Sequence, residues 1–131
     1  MVIDTSALLA ILFAEPEARQ LGTAIVRERS RLLPAPAFVE ASPVVIARKG
    51  AQGAIALDAL LQRLGIEVIA MSPEAASHAR GSYDRYGRGV GSPGLLNLGD
   101  CLCYGVARSV GEPLLFKGDD FAKTDVDAAL Y

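Results

Sequence analysis

Five acids stand at places in the sequence where acids do chemistry. Asp4 closes the short apolar run Met1-Val2-Ile3, and Asp119 and Asp120 follow the run Pro113-Leu114-Leu115-Phe116. Asp100 falls in the first turn of a helix-patterned stretch, and Glu40 near the start of another. In a sheet of parallel strands the carboxyl ends face one edge, so acids remote in sequence can share a cleft there. Carboxylates gathered within a few ångströms repel, and at least one keeps its proton unless a cation is present. A hard, oxygen-preferring ion such as Mg²⁺ relieves that repulsion. An ion held this way activates water and steadies charge on a transferring phosphate. Each acid also has an ordinary structural use. Asp4 and Asp100 suit helix N-termini, Asp119-Asp120 suit a turn beside Gly118, and Glu40 needs a partner or an exposed face in the apolar stretch Ala37-Phe38-Val39-Glu40-Ala41. Their joint placement at matching ends of alternating elements points to chemistry.

The elements that must position these acids follow from periodicity and punctuation. Met1–Ile3, Arg31–Pro34, Glu67–Ala70 and Pro113–Phe116 read as short buried strands. Helices are predicted over Ala7–Phe13 with Thr5-Ser6 as its cap, from Pro16 to about Arg29, over Phe38–Lys49, over Ala51–Leu64, from Pro73 to about Tyr86, and over Leu98–Val110. Gly50, Gly65 and Gly111 stop three of them. In Ala51–Leu64 the apolar stripe is Ile55, Leu57, Leu60, Leu61 and Leu64. Gly87–Gly94 reads as a flexible loop, and Gly118–Phe121 as a turn into a last short helical piece. Strand and helix alternate throughout, which predicts an α/β fold: a central parallel sheet of four or five strands with helices on both faces. No repeat, linker or composition break divides the chain, so residues 1–131 are read as a single domain.

Composition sets the outer limits. Half of the 131 residues (51%) are hydrophobic and 21% are charged, enough apolar surface for a packed core and too much for a disordered chain. Asp, Glu, Pro or Arg breaks every long apolar run, and no basic region precedes an apolar stretch at the N-terminus, so the expectation is a cytoplasmic protein without a membrane span. The two cysteines, Cys101 and Cys103, are too close for an ordinary disulfide and too few for a zinc site, and packing is their expected role. A net charge of −2 argues against a protein that coats nucleic acid by bulk positive charge. It leaves open a nuclease whose acidic centre is neutralised by metal.

Four blocks carry a resemblance: Val2-Ile3-Asp4-Thr5-Ser6-Ala7, Phe38-Val39-Glu40-Ala41-Ser42, Leu98-Gly99-Asp100-Cys101-Leu102 and Leu114-Leu115-Phe116-Lys117-Gly118-Asp119-Asp120-Phe121. In this order and spacing, across nearly the whole chain, the sequence resembles a PIN-domain ribonuclease, most closely the VapC-type toxins of bacterial toxin–antitoxin pairs. The resemblance implies a PIN-like fold and a catalytic set of Asp4, Glu40, Asp100 and one or both of Asp119 and Asp120. Asp4 and Asp100 would be metal ligands, with Thr5 and Ser6 supporting them through their hydroxyls. It implies Mg²⁺ or Mn²⁺ as cofactor and endoribonuclease cleavage of structured RNA, tRNA or rRNA, by in-line attack of activated water on phosphorus. The implied partners are RNA, a cognate VapB-type antitoxin and a second copy in a homodimer. Arg85, Arg88 and Lys117 flank the acidic blocks and are the candidates for phosphate contact. Pro43 departs from the pattern, because it must lie in the first turn of the helix bearing Glu40 or kink it.

Other motifs fail on context. Gly89–Gly94 matches G-x-G-x-x-G but follows a helical stretch and contains Pro93, so it is no dinucleotide fingerprint. The only histidine, His78, has no neighbour that makes it a base. A phospho-receiver signalling domain needs two acids at the first strand and an acid ending a central one, whereas Val68–Ser72 ends without one. A dehalogenase-like phosphatase needs D-x-D, and position 6 is Ser6. A catalytically silent PIN-like binding module is the remaining alternative, separated from the nuclease by RNA cleavage with metal against EDTA.

Overall fold

The computed structural model describes residues 1–131. In chain order the elements are β1 (Val2–Ile3), α1 (Thr5–Leu12), α2 (Ala18–Arg27), β2 (Leu32–Pro34), α3 (Ala35–Lys49), α4 (Ala51–Leu64), β3 (Glu67–Ile69), α5 (Pro73–Tyr86), α6 (Leu98–Val110) and β4 (Leu114–Leu115). The four strands form one parallel sheet in the order β3-β2-β1-β4. Val2 aligns with both Leu32 and Leu114, and Ile3 with Leu115. Val2, Ile3, Leu33, Leu114 and Leu115 are fully buried, as strands covered on both faces require. A one-residue parallel bridge between Leu114 of β4 and Ala128 extends the sheet on that side.

The strand order reverses at β1. Two crossovers step from β1 to β2 to β3, and the third returns past both to reach β4. Right-handed crossovers, the rule for parallel strands, then place α1–α4 on one face and α5–α6 on the other. Most helix contacts follow this division, α1–α4 packing among themselves and α5 with α6 forming the most extensive helix pair, while α3 and α6 meet across it. Their close approach requires Gly105, where a Cβ would strike the Ala75 carbonyl and the Ala79 side chain. The crevice between β1 and β4 is the switch point at which doubly wound sheets bind ligands. Asp4 leaves β1 there, and the segment carrying Asp119 and Asp120 leaves β4 there.

Several local expectations are corrected. Asp4, rather than Thr5-Ser6, is the N-cap of α1: its side chain accepts the Ser6 N–H. The helix bearing Glu40 starts at Ala35, three residues earlier than the apolar pattern suggests, because Pro36 suits a first helical turn. Pro43 lies inside that helix, neither in its first turn nor at its end, and the Ser42 hydroxyl donates to the Phe38 carbonyl at 2.8 Å beside it. Ile55 belongs to the apolar stripe of α4 but stands 60% exposed, whereas Leu57, Leu60, Leu61 and Leu64 are buried. After Gly118 the chain makes turns closed by Ala122 N–H to Asp119 and Thr124 N–H to Phe121, without a last helix. The Gly87–Gly94 loop is stapled at its base by paired backbone bonds between Arg88 and Leu96 and between Leu96 and Tyr86.

Candidate active site

Each of the first three acids spends one oxygen on the fold. Asp4 is buried, and its Oδ2 accepts the Ser6 N–H at 2.8 Å and the Ser6 Oγ–H at 2.6 Å. Ser6 Oγ in turn accepts the Lys117 N–H at 3.0 Å, so the chain leaving β4 orients the hydroxyl that holds Asp4. Glu40 is exposed, and its Oε2 accepts the Thr5 hydroxyl at 2.7 Å. Asp100 sits at N3 of α6 in a capping box, where its Oδ2 accepts the Asn97 N–H at 2.7 Å and Asn97 returns the bond to the Asp100 N–H. No nitrogen or oxygen donor reaches Asp4 Oδ1, Glu40 Oε1 or Asp100 Oδ1. The capping roles are therefore real, and they leave the second oxygens free.

The acids feel one another. Burial pushes the Asp100 carboxyl up to about 6, against the Asn97 hydrogen bond, and the charges of Asp4, Asp120 and Glu40 add to the rise. Asp119 is absent from that set, and its side chain lies exposed, whereas Asp120 is half-buried. Of the two candidates after β4, Asp120 is the one whose charge bears on Asp100. Gly99 allows Glu40 to reach the group, because a Cβ at position 99 would fall within the Glu40 carboxylate. This is where α3 and α6 meet across the mouth of the crevice.

Charge compensation is uneven. Arg88 Nη2 lies 3.7 Å from Asp120, and Arg88 Nε donates to the Leu95 carbonyl at 2.8 Å. None of the ion pairs in the structure involves Asp4, Glu40 or Asp100. Arg85 is occupied elsewhere. Its guanidinium pairs with Asp125 at 3.2 Å, donates to the Tyr104 hydroxyl at 2.8 Å and lies over the Tyr86 ring. Lys117 Nζ is held by Glu15 and Glu17, and these two carboxylates raise its pKa.

A hard divalent cation suits this donor set. Its ligands would be the Asp4 and Asp100 oxygens that no N–H or O–H donor reaches, from acids without cationic partners. No three acidic, histidine or cysteine side chains close into a complete ligand group. An ion of the Mg²⁺ kind needs only one or two carboxylates from a protein and completes its shell with water and substrate oxygens.

Comparison with known proteins draws on the whole chain. The PIN domain family model matches residues 1–127. The chain is 43% identical over 126 residues to Ribonuclease VapC30 of Mycobacterium tuberculosis, covering 96% of this chain and 95% of that protein. It is 43% identical over 128 residues to Ribonuclease VapC of Mycolicibacterium smegmatis, covering 98% of both. Among solved structures, the sarcin–ricin loop cleaving toxin VapC20 of Mycobacterium tuberculosis superposes with a TM-score of 0.75 at 15% identity over 95% of each chain. VapBC2 of Rickettsia felis, bound to a promoter DNA fragment, superposes with a TM-score of 0.74 at 16% identity, covering 97% of this chain and 94% of that one. Likeness of this extent, end to end in sequence and in fold, is more than a shared motif: the chain belongs to the PIN domain family and, within it, to the VapC group.

Proposed function

We propose that this protein is a divalent-metal-dependent endoribonuclease acting as the toxin of a VapBC pair in the cytoplasm. The observation that supports the reading is that the charges of Asp4, Asp120 and Glu40 all bear on half-buried Asp100, with Arg88 beside Asp120 as the one cation paired to any of the four. The ribonuclease names of relatives at 43% identity support the activity. A bound Mg²⁺ or Mn²⁺ would supply a more acidic water and neutralise charge building on the phosphate. Asp4 Oδ1 and Asp100 Oδ1 are the oxygens that would hold the ion. Glu40, exposed at the mouth with Oε1 against Gly99, would take the proton from the attacking water. Ser6 and Thr5 fix the two acids they bond, so the free oxygens keep their aim. Arg88, tethered to Asp120 and to the Leu95 carbonyl, presents a guanidinium to the incoming backbone. Arg85 and Lys117, with their charges already matched, serve the fold more than the substrate.

An antitoxin partner and a homodimer belong to the same reading. Val39 and Ile46 of α3 and Ile55 of α4 expose 66%, 51% and 60% of their surface, apolar area suited to a protein partner. No helix is long and apolar enough to cross a membrane.

The test is incubation of the antitoxin-free protein with total RNA in Mg²⁺, Mn²⁺ or EDTA, followed by sequencing of the cleaved ends. Discrete ends that need the metal are expected. Intact RNA under every metal would leave a catalytically silent binding module. Gly99→Ala separates the site from the fold. The added methyl displaces Glu40, and a shift of about 1 Å in a positioned group costs on the order of 100-fold in rate. Stability holds or rises, because alanine is favoured over glycine in a helix by up to about 1 kcal/mol. Undiminished cleavage in this variant would remove Glu40 from the reaction.

A further inference from the structure

We propose that the cavity between the end of α1 and the end of α3 is a subsite for a nucleobase of single-stranded RNA, with Phe13 and Arg48 as its stacking pair. The inference rests on the ribonuclease reading and extends it to a residue of the substrate beside the cut.

The cavity measures about 280 Å³, room for one base, and Ser6, Phe13, Glu15, Arg48 and Lys117 are among its lining residues. Ser6 joins it to the acids, since its hydroxyl donates to Asp4 Oδ2 at 2.6 Å. Phe13 lies seven residues further along the same helix face, about 10 Å away by helix rise. An occupant there is a neighbour of the scissile phosphate and not the scissile nucleotide.

The chemistry of the walls selects the ligand. The Arg48 guanidinium carbon stands 4.5 Å from the Phe13 ring centroid, and Lys49 Nζ stands 5.6 Å from it. Neither cation has a carboxylate within ion-pair distance, whereas Lys117 across the cavity is matched by Glu15 and Glu17. A helix C-terminus accounts for basic residues in the last turn of α3. It does not account for a planar ring from another helix beneath them. Arg48 already covers one face of the Phe13 ring, so a base stacks on the uncovered face of the ring or of the guanidinium rather than between them; both are surfaces on which unpaired bases stack, and an adjacent ammonium suits the phosphate that follows.

The experiment reads binding and cutting separately. A fluorescein-labelled single-stranded RNA of mixed sequence is titrated in EDTA with the wild type, Phe13→Ala, Phe13→Trp and Arg48→Ala, each checked for a native melting transition. Phe13→Ala is expected to raise Kd about tenfold, the size of one lost base stack. Arg48→Ala is expected to raise Kd and lower the salt slope by about 0.7, the single-strand value for one neutralised phosphate. Phe13→Trp keeps the stacking face and is expected to bind at least as well as the wild type, which answers the case in which Phe13→Ala fails to fold. With Mn²⁺ present, the base preference at one position beside the cut is expected to flatten in Phe13→Ala. Unchanged Kd and unchanged ends in folded Phe13→Ala overturn the subsite. The subsite is overturned as well if Phe13→Ala loses a copurifying antitoxin while its RNA affinity stays intact. Phe13-dependent binding by a wild type that cuts nothing keeps the subsite and defeats the ribonuclease reading.

Discussion

Asp100→Asn is expected to abolish RNA cleavage and to raise the melting temperature in metal-free buffer at pH 8. Loss of one carboxylate from an ion-holding pair removes about 4 kcal/mol or more of transition-state stabilisation, a thousandfold in rate. The gain in stability comes from the same charge. Asp100 titrates near 6 in the fold against 3.8 when free, with burial as the leading cause and the other acids adding to it. Above pH 6 the carboxylate is charged in both folded and unfolded chains, and the fold bears the whole penalty. As pH falls through 6 the folded chain takes up the proton first, and below about 4 the penalty has vanished. The difference amounts to about 3 kcal/mol at most, and Asp100 is only half-buried, so about 1–3 kcal/mol is the expected gain, or roughly 3–10 °C. Asparagine keeps an oxygen for the Asn97 N–H, so the capping box survives. The advantage over wild type should therefore shrink between pH 8 and pH 4, and it should shrink at pH 8 when Mg²⁺ binds the wild type alone. A variant less stable than wild type at pH 8 would mean that Asp100 serves the fold and not an ion.

The same residue shows what was legible beforehand. Helix α6 runs from Leu98 to Val110 as its pattern and Gly111 predict, and the Asn97-x-x-Asp100 spacing is a capping-box signature that reinforces its start. The sheet, its parallel sense and the placement of Asp4 at its edge follow from alternating elements and buried apolar runs. Boundaries set by proline were harder: Pro36 opens α3 and Pro43 is carried within it, because neighbouring packing outweighs one missing N–H. Partners were hidden altogether. Nothing near Lys117 in sequence announces Glu15 and Glu17, and nothing near Phe13 announces Arg48. Residue type gave the cations as candidates, whereas only the fold shows which charges are already spent. The choice between Asp119 and Asp120 is of that kind too, since adjacent residues in a turn point in different directions.

Arg85 is the sharpest instance, and Asp125→Ala tests what it does. Asp125 accepts the Tyr104 hydroxyl at 2.6 Å, the Tyr86 hydroxyl at 3.2 Å and Arg85 Nη1 at 3.2 Å. Tyr104 is 1% exposed on α6, Arg85 and Tyr86 end α5, and Asp125 lies in the C-terminal segment, so one carboxylate ties three parts of the chain. Its removal leaves the Tyr104 hydroxyl without an acceptor and Arg85 without its counter-ion. A buried donor left unpaired costs about 1–3 kcal/mol. With Asp125 itself half exposed, the expected drop is about 2 kcal/mol, or roughly 5–8 °C in melting temperature. Cleavage per folded molecule should stay at the wild-type level at 25 °C, because no acid of the site is touched. Asp125→Asn retains an acceptor for Tyr104 and should recover part of the loss. Arg85→Ala should cost stability in the same way, and the double variant should cost less than the sum, as residues of one network do. Its RNA affinity should keep the wild-type salt slope. The opposite pair of results, an unchanged melting temperature with a slope lower by about one, would return Arg85 to the RNA and leave Asp125 as a surface acid of no consequence.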